Sequence, residues 1–210
     1  MSPILSGQVV LITGGGGFLA GRFASALVAA GATPVLADVD AASARIHAER
    51  AGPPATWLEL DITRPADCRA AVAAVIARHG RLDALVNNAA IDPKFEPGDA
   101  GRPEGAFEDY PVESWRRSLE VNLTGAFLIT QAVATHFRSV NRGHVVNIAS
   151  MYGLVAPDQR LYSPDENLPP PRYKPADYTV TKSGLHGFTK YLAAYWAGTG
   201  MRANTLTFGG

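Results

Sequence analysis

The sequence is nearly devoid of cysteine. Cys68 is the single one in 210 residues, which excludes an intrachain disulfide, and without a CxxC partner it reads as a thiol packed on a helix. Excess charge of either sign is also missing. Lys plus Arg and Asp plus Glu number 19 each, so the chain has no net field with which to attract nucleic acid or an anionic membrane. No apolar run approaches the roughly 20 residues of a membrane span. The start, "MSPILSGQVVLIT", lacks the basic region, long apolar stretch and cleavage site of a leader, so the expectation is a cytoplasmic protein. The histidines (His47, His79, His136, His144 and His186) show no HExxH or comparable spacing, and no metal site is expected.

What is present is a large apolar fraction, 47% of residues, enough for one sizeable core. Short β-rich runs recur: "QVVLIT", "TPVLAD", "ATWLEL", "ALVNN", "HVVNIAS" and "RANTLTF". Between them lie segments such as "FLAGRFASALVAAG" and "PADCRAAVAAVIARHG", with apolar residues at three- and four-residue spacing. Alternation of this kind predicts an α/β fold, a doubly wound parallel sheet in a single domain spanning residues 1–210. One stretch breaks the rhythm. "GLVAPDQRLYSPDENLPPPRYKPA" holds six of the 15 prolines and must be a long loop, either shaping a site or lying on the surface. "IDPKFEPGDAGRPEGAFEDY" invites the same two readings.

The first apolar run leads into four consecutive glycines in "VVLITGGGGFLAG". Each ordered glycine costs about 0.5–1 kcal/mol relative to alanine, so such a run needs a reason. A glycine turn between a first strand and first helix lets the backbone approach a pyrophosphate resting on the helix N-terminus. The P-loop alternative lacks its Gly-Lys-Ser or Gly-Lys-Thr. Asp38, about 20 residues on at the end of "VLAD", can accept both ribose hydroxyls and would repel a 2′-phosphate, which favours NAD over NADP. Tyr178 and Lys182 stand four apart on one helix face, and the ammonium favours the phenolate. Ser150 closes the apolar run "HVVNIAS", where open α/β sheets place their ligands.

Taken in order, "TGGGGFLAG", Asp38, "LELD", "LVNNAA", "VNLTGAF", "VVNIAS" and "YTVTK" resemble the short-chain dehydrogenases/reductases along essentially the whole chain. The resemblance implies hydride transfer between a nicotinamide and a secondary alcohol or ketone, and a catalytic set of Asn122, Ser150, Tyr178 and Lys182. Tyr178 would be the general acid/base, Ser150 would bind the substrate oxygen, Lys182 would lower the Tyr178 pKa and hold the nicotinamide ribose, and Asn122 would anchor a water. It also implies a cofactor site of Gly14, Gly17, Phe18, Leu19, Asp38, Asp61, Ile62, Asn87, Ala89 and Gly209, together with Tyr178 and Lys182. For Asn87 a purely strand-capping role is compatible. A homodimer or homotetramer built on the helices of Asn122 and Tyr178 is implied as well, with Leu185, Phe188, Leu192, Tyr195 and Trp196 serving that contact or the core.

Three departures from the family pattern bear on function. The glycine motif runs Gly14, Gly17, Ala20, with Phe18 at an expected glycine, and Ser150 and Tyr178 lie 28 positions apart. Both features look like the longer branch that epimerises or dehydrates nucleotide sugars, whereas "NNAA" and "VNLTGAF" look like the short branch. The reading favoured is a simple dehydrogenase or reductase of a small molecule, a carbohydrate-derived one being an option. Third, the sequence ends soon after "RANTLTF", with Phe208 in place of the usual proline and without the expected substrate-covering helix and final strand. A cofactor-binding domain without turnover is the rival.

Overall fold

The computed structural model describes residues 3–92, 106–162 and 173–209. Each expected apolar run forms a strand: β1 Val9–Thr13, β2 Thr33–Asp38, β3 Thr56–Glu59, β4 Ala84–Asn87, β5 Gly143–Ser150 and β6 Met201–Phe208. All six are parallel in the order β3-β2-β1-β4-β5-β6. Helices α1 Phe18–Ala29, α2 Ala41–Ala51, α3 Pro65–His79, α4 Val112–Leu119, α5 Ala126–Ser139 and α6 Ala176–Tyr195 cover the faces. This is the doubly wound α/β fold. Because the chain starts at β1, moves outward to β3 and then crosses to β4, the direction of winding reverses between β1 and β4. A ligand crevice opens there, at the carboxyl ends of the strands.

Alternate side chains of the strands feed the two faces, as the pleat requires. Leu11, Val35, Leu85 and Val145 pack with Val72 and Val75 of α3 and with Ile129, Val133 and Phe137 of α5. Val10 and Ile12 pack on the other side against Ala20, Phe23 and Leu27 of α1. Full burial of a side chain of this size is worth about 1.5–3 kcal/mol, so these layers hold the sheet rigid beneath the crevice. Cys68 belongs to the first layer; its thiol donates to the Ile62 carbonyl, and burial pushes its pKa up to about 11, an inert packing group.

The run around "SWRRSLEVNLTGAF" is not one regular helix. Between α4 and α5 the backbone widens into a π turn over Glu120–Gly125. Where the turn passes β3's following segment, a Cβ on Gly125 would lie 2.6 Å from Ile62 Cδ1, so a larger residue there would force the Ile62 side chain to move. The proline-rich stretch after Ser150 opens with two short 3-10 turns, Met151–Gly153 and Gln159–Leu161. Its centre, 163–172, and the larger part of the other irregular stretch, 93–105, lie outside the described residues.

Candidate active site

The glycine run sits where β1 gives way to α1, and its backbone is pressed against three neighbours. A Cβ on Gly14 would stand 2.7 Å from Ala89 Cα, one on Gly15 2.8 Å from Ala37 N, and one on Gly16 2.8 Å from Ser43 Cβ. Gly14 also has φ +65°. Asn88 fastens the turn from the β4 side, its amide donating to the Thr13 and Gly14 carbonyls at 3.0 and 3.1 Å. Gly17 caps α1 with no side-chain acceptor, and the first turn carries no acid. The helix start is thus free of its own anions and fits a phosphate. Asp38 lies beside it: Oδ2 accepts from Gly16 N and Oδ1 from Asp40 N, both at 2.9 Å. The same carboxylate that faces the crevice therefore also tightens the glycine turn.

Two cavities open along the carboxyl ends of the strands. The first, about 160 Å³, is bounded by Gly14, Asp38, Asp61, Ile62, Ala89 and Arg117, among others. Within it Asp61 is tied locally, its Oδ1 accepting from Thr63 N and Thr63 Oγ1 at 2.9 and 2.6 Å, bonds that draw its carboxyl below the usual range. The second, about 460 Å³, is bounded by Leu19, Ser150, Tyr178, Lys182 and Gly209, together with Asn88 and Asp92. Ala90 lines both, so the two cavities are neighbours along the strand ends. A dinucleotide fits this donor set. The glycine cradle admits close backbone approach, and a carboxylate stands at the end of β2.

Of the residues expected at the site, Ser150, Tyr178 and Lys182 come together in the second cavity. Ser150 is the last residue of β5 and hydrogen-bonds Tyr152 N at 3.2 Å. Lys182 Nζ donates to the Ile148 carbonyl at 2.8 Å and lies 5.7 Å from the centroid of the Tyr178 ring. The expectation that Tyr178 is more acidic than a free phenol needs correction. Burial raises its pKa above the ordinary value, hydrogen bonding with Ser150 pulls it back, and Asp92 pushes it up again. Burial also drives the Lys182 ammonium down to about 8. Both groups are desolvated, and desolvation opposes charge on either of them.

Two expectations place differently. Asn87 does not turn its side chain to either cavity. Its amide nitrogen donates to Thr130 Oγ1 and Asn147 Oδ1 at 2.9 and 2.8 Å, between the sheet and α5. Adjacent residues at a strand end face opposite ways, so Asn88 meets the glycine turn instead. Phe18 is 71% exposed on α1 with the Arg22 guanidinium over its ring at 5.2 Å, outside both cavities. Asn122 is buried in the π turn and bonds the Ile91 backbone and Thr181. The sequence reading missed Asn88, and it missed the pair formed by Asp92 and Lys174 beside Tyr178; "YKPADY" does carry a lysine four residues before that tyrosine, the one local signal available.

Crevice, glycine cradle and strand-end carboxylate together define a dinucleotide-binding α/β protein. The model of the family described as short chain dehydrogenase matches residues 8–163. The chain is 32% identical over 206 residues to a 3-alpha-(or 20-beta)-hydroxysteroid dehydrogenase of Mycobacterium bovis, covering 98% of this chain and 70% of the relative. It is 33% identical over 209 residues to an L-fucose dehydrogenase of Bos taurus, covering 100% and 68%. An NAD+-bound xylitol dehydrogenase superposes with a TM-score of 0.79 at 27% identity, covering 98% of this chain and 71% of that one. The chain belongs to the short chain dehydrogenase family. It is a nicotinamide-dependent oxidoreductase of alcohols or ketones. No helix among the described residues is long and apolar enough to cross a membrane.

Proposed function

We propose that the chain interconverts a secondary alcohol and its ketone on a carbohydrate-derived polyol, using NAD in preference to NADP. The observation that carries this reading is the convergence of Ser150, Tyr178 and Lys182 on one cavity, which shares Ala90 with the neighbouring Asp38 cavity. A bound nicotinamide supplies the hydride donor or acceptor. The chain's own work is to move the proton and hold the substrate. Tyr178 Oη exchanges a proton with the reacting oxygen, Ser150 Oγ hydrogen-bonds that oxygen, and Lys182 stands behind the phenol. Asn122 acts through the backbone beside them. Gly14, Gly17 and Leu19 cradle the pyrophosphate, Asp38 accepts the ribose hydroxyls, Asp61, Ile62 and Ala89 bound the adenosine end, and Gly209 closes the nicotinamide end.

A polyol is favoured because the substrate end of the cavity is lined by polar groups. These are the Asp92 carboxylate and the Tyr152 and Tyr162 hydroxyls, the last two 3.0 Å apart. The names of the fucose and xylitol dehydrogenases point the same way. NAD is favoured because Asp38 would repel a 2′-phosphate.

The test is fluorescence titration of the purified chain with NADH and NADPH, then an absorbance assay over polyols, sugars and simple alcohols with Tyr178→Phe as control. Tighter NADH binding, with polyol turnover lost in Tyr178→Phe, is the expected result. Binding without turnover of any alcohol would replace this reading with that of a binding domain, and failure to bind either cofactor would remove the role given to the glycines.

We read 1–210 as one domain, cytoplasmic in keeping with its lone buried thiol. The contact between copies falls on α5 and α6. There Phe127, Tyr191 and Tyr195 are exposed, the two tyrosines stacked 5.8 Å apart, whereas Leu185, Leu192 and Trp196 are buried in the core and Phe188 packs against it. Light scattering on the purified chain measures the oligomer directly.

A further inference from the structure

Lys174 lies in the segment entering α6, and it is held on both sides. The Gln159 side-chain amide grips its backbone, Oε1 accepting from Lys174 N at 2.8 Å and Nε2 donating to Lys174 O at 3.1 Å. This clamp aims the side chain inward. Lys174 Nζ meets Asp92 Oδ1 at 2.5 Å and stands 4.0 Å from the centroid of the Tyr178 ring. The ordinary reading of such a contact is a surface ion pair worth well under about 1 kcal/mol. Two features speak against it. The lysine side chain is only 9% exposed while Asp92 is 45% exposed, so the cation is withdrawn from water and set on the face of the phenol rather than extended into solvent.

We propose that Lys174 is a positioning residue for proton transfer at Tyr178, cancelling the Asp92 carboxylate that shares the cavity and holding the phenol ring in place. This rests on the assignment of Tyr178 as the acid/base. The need for such a cation follows from the surroundings. Facing Tyr178 are Ser150 and Tyr152 at the end of β5 and the turn after it, Tyr162 from the next turn, Asp92 beyond β4, and Lys174 and Lys182 before and within α6. The buried Asp177 carboxylate takes the Tyr178 backbone N–H at 2.8 Å and also accepts from Tyr110 and Ser118. Asp92 is thus the one anion lining that cavity among the described residues. Unbalanced, it would make both Tyr178 and Lys182 harder to deprotonate; it raises each of them, behind burial as the largest influence, and Lys174 lowers Lys182. A carboxylate in the cavity is useful for gripping a polyol, and the lysine makes it compatible with a working base.

The experiment is 13C NMR titration of the full chain labelled at lysine Cε and tyrosine Cζ, with Lys182→Arg and Tyr178→Phe used for assignment. Lys174→Met should raise the Lys182 midpoint from about 8 by about one pH unit and move Tyr178 upward with it. Lys174→Arg should stay close to the parent. Asp92→Asn should lower both midpoints, and Lys174→Met with Asp92→Asn should return them toward the parent, an outcome that a merely structural contact would not produce. Unmoved midpoints in Lys174→Met and Asp92→Asn would overturn the proposal, as would an arginine variant that shifts as far as the methionine one. If Lys174→Met does not fold, Asp92→Asn alone carries the test. No substrate enters the titration, so its outcome is separate from whether the chain turns over an alcohol and from the effect of Tyr178→Phe on that turnover.

Discussion

Asn122 closes two hydrogen bonds on the backbone of Ile91, Oδ1 accepting the N–H at 2.8 Å and Nδ2 donating to the carbonyl at 2.9 Å. An asparagine in a regular helix has no reason to face a neighbouring chain segment in this way. The π turn supplies the rotation that brings it there, and Thr181 of α6 accepts a third, longer bond at 3.3 Å. One side chain thus couples the segment after β4 to the helix of Tyr178 and Lys182.

Asn122→Ala leaves both Ile91 backbone groups without that partner in a largely buried place. The expected loss of stability is about 1–3 kcal/mol, read by urea denaturation. Because Ile91 lines the Asp38 cavity, NADH binding should weaken in the same variant. Normal stability together with normal binding would show the coupling to be idle.

Asp38→Ala removes the carboxylate from the end of β2. Hydrogen bonds to a charged group are worth about 1.5–3 kcal/mol, so the NADH over NADPH preference should fall by about 10- to 100-fold. Paired fluorescence titrations check this. An unchanged preference would restrict Asp38 to its bonds with Gly16 and Asp40.

Gly14→Ala and Gly7→Ala make a matched pair. Both positions have positive φ, +65° and +72°, but only at Gly14 does an added Cβ meet backbone, Ala89 Cα at 2.7 Å; at Gly7 nothing lies within 4 Å. Gly7→Ala should cost about 1 kcal/mol through conformational strain alone. Gly14→Ala should cost more and abolish NADH binding. Equal melting temperatures for the two variants would contradict the close approach of β1 and β4.

Asp83 governs acid stability. Its carboxylate, 4% exposed, accepts from Val9 N at 2.9 Å, from Arg81 twice at 2.7 Å and from Arg142 at 2.7 Å. Burial alone would raise its pKa, yet Arg81, the Val9 N–H and Arg142 together hold it below the usual carboxylate range. A folded value below the unfolded one means stability that is complete above the unfolded pKa of about 4 and lost as pH falls through the folded value. Asp83→Asn should cost about 3 kcal/mol near neutrality and flatten the acid side of the melting profile. A parallel profile for the variant would locate the acid sensitivity elsewhere.

Much of this molecule is legible from local patterns. Six apolar runs became six strands: burial on both faces demands continuous hydrophobic residues in the central β1 and β2, while the edge strands β3 and β6 alternate covered with exposed residues over most of their length. The glycine turn, Asp38, and the Tyr178 and Lys182 spacing are equally local, since each depends on a turn or on one helical period. The distinction between Asn87 and Asn88 was not legible, because their two faces acquire different neighbours only once α5 and β1 are in place.

By itself, then, the sequence determined the order of elements, the doubly wound class and the dinucleotide cradle, all of which follow from residues close together in the chain. Tertiary structure decided what crosses long separations. It opened the π turn that lets Asn122 reach Ile91, it set Lys174 against Asp92 across 82 positions, and it buried Tyr178 and Lys182 deeply enough that desolvation outweighs their spacing. Hydrophobic periodicity reports which face of an element is covered, but it carries no record of which distant charge the packed fold brings to that face.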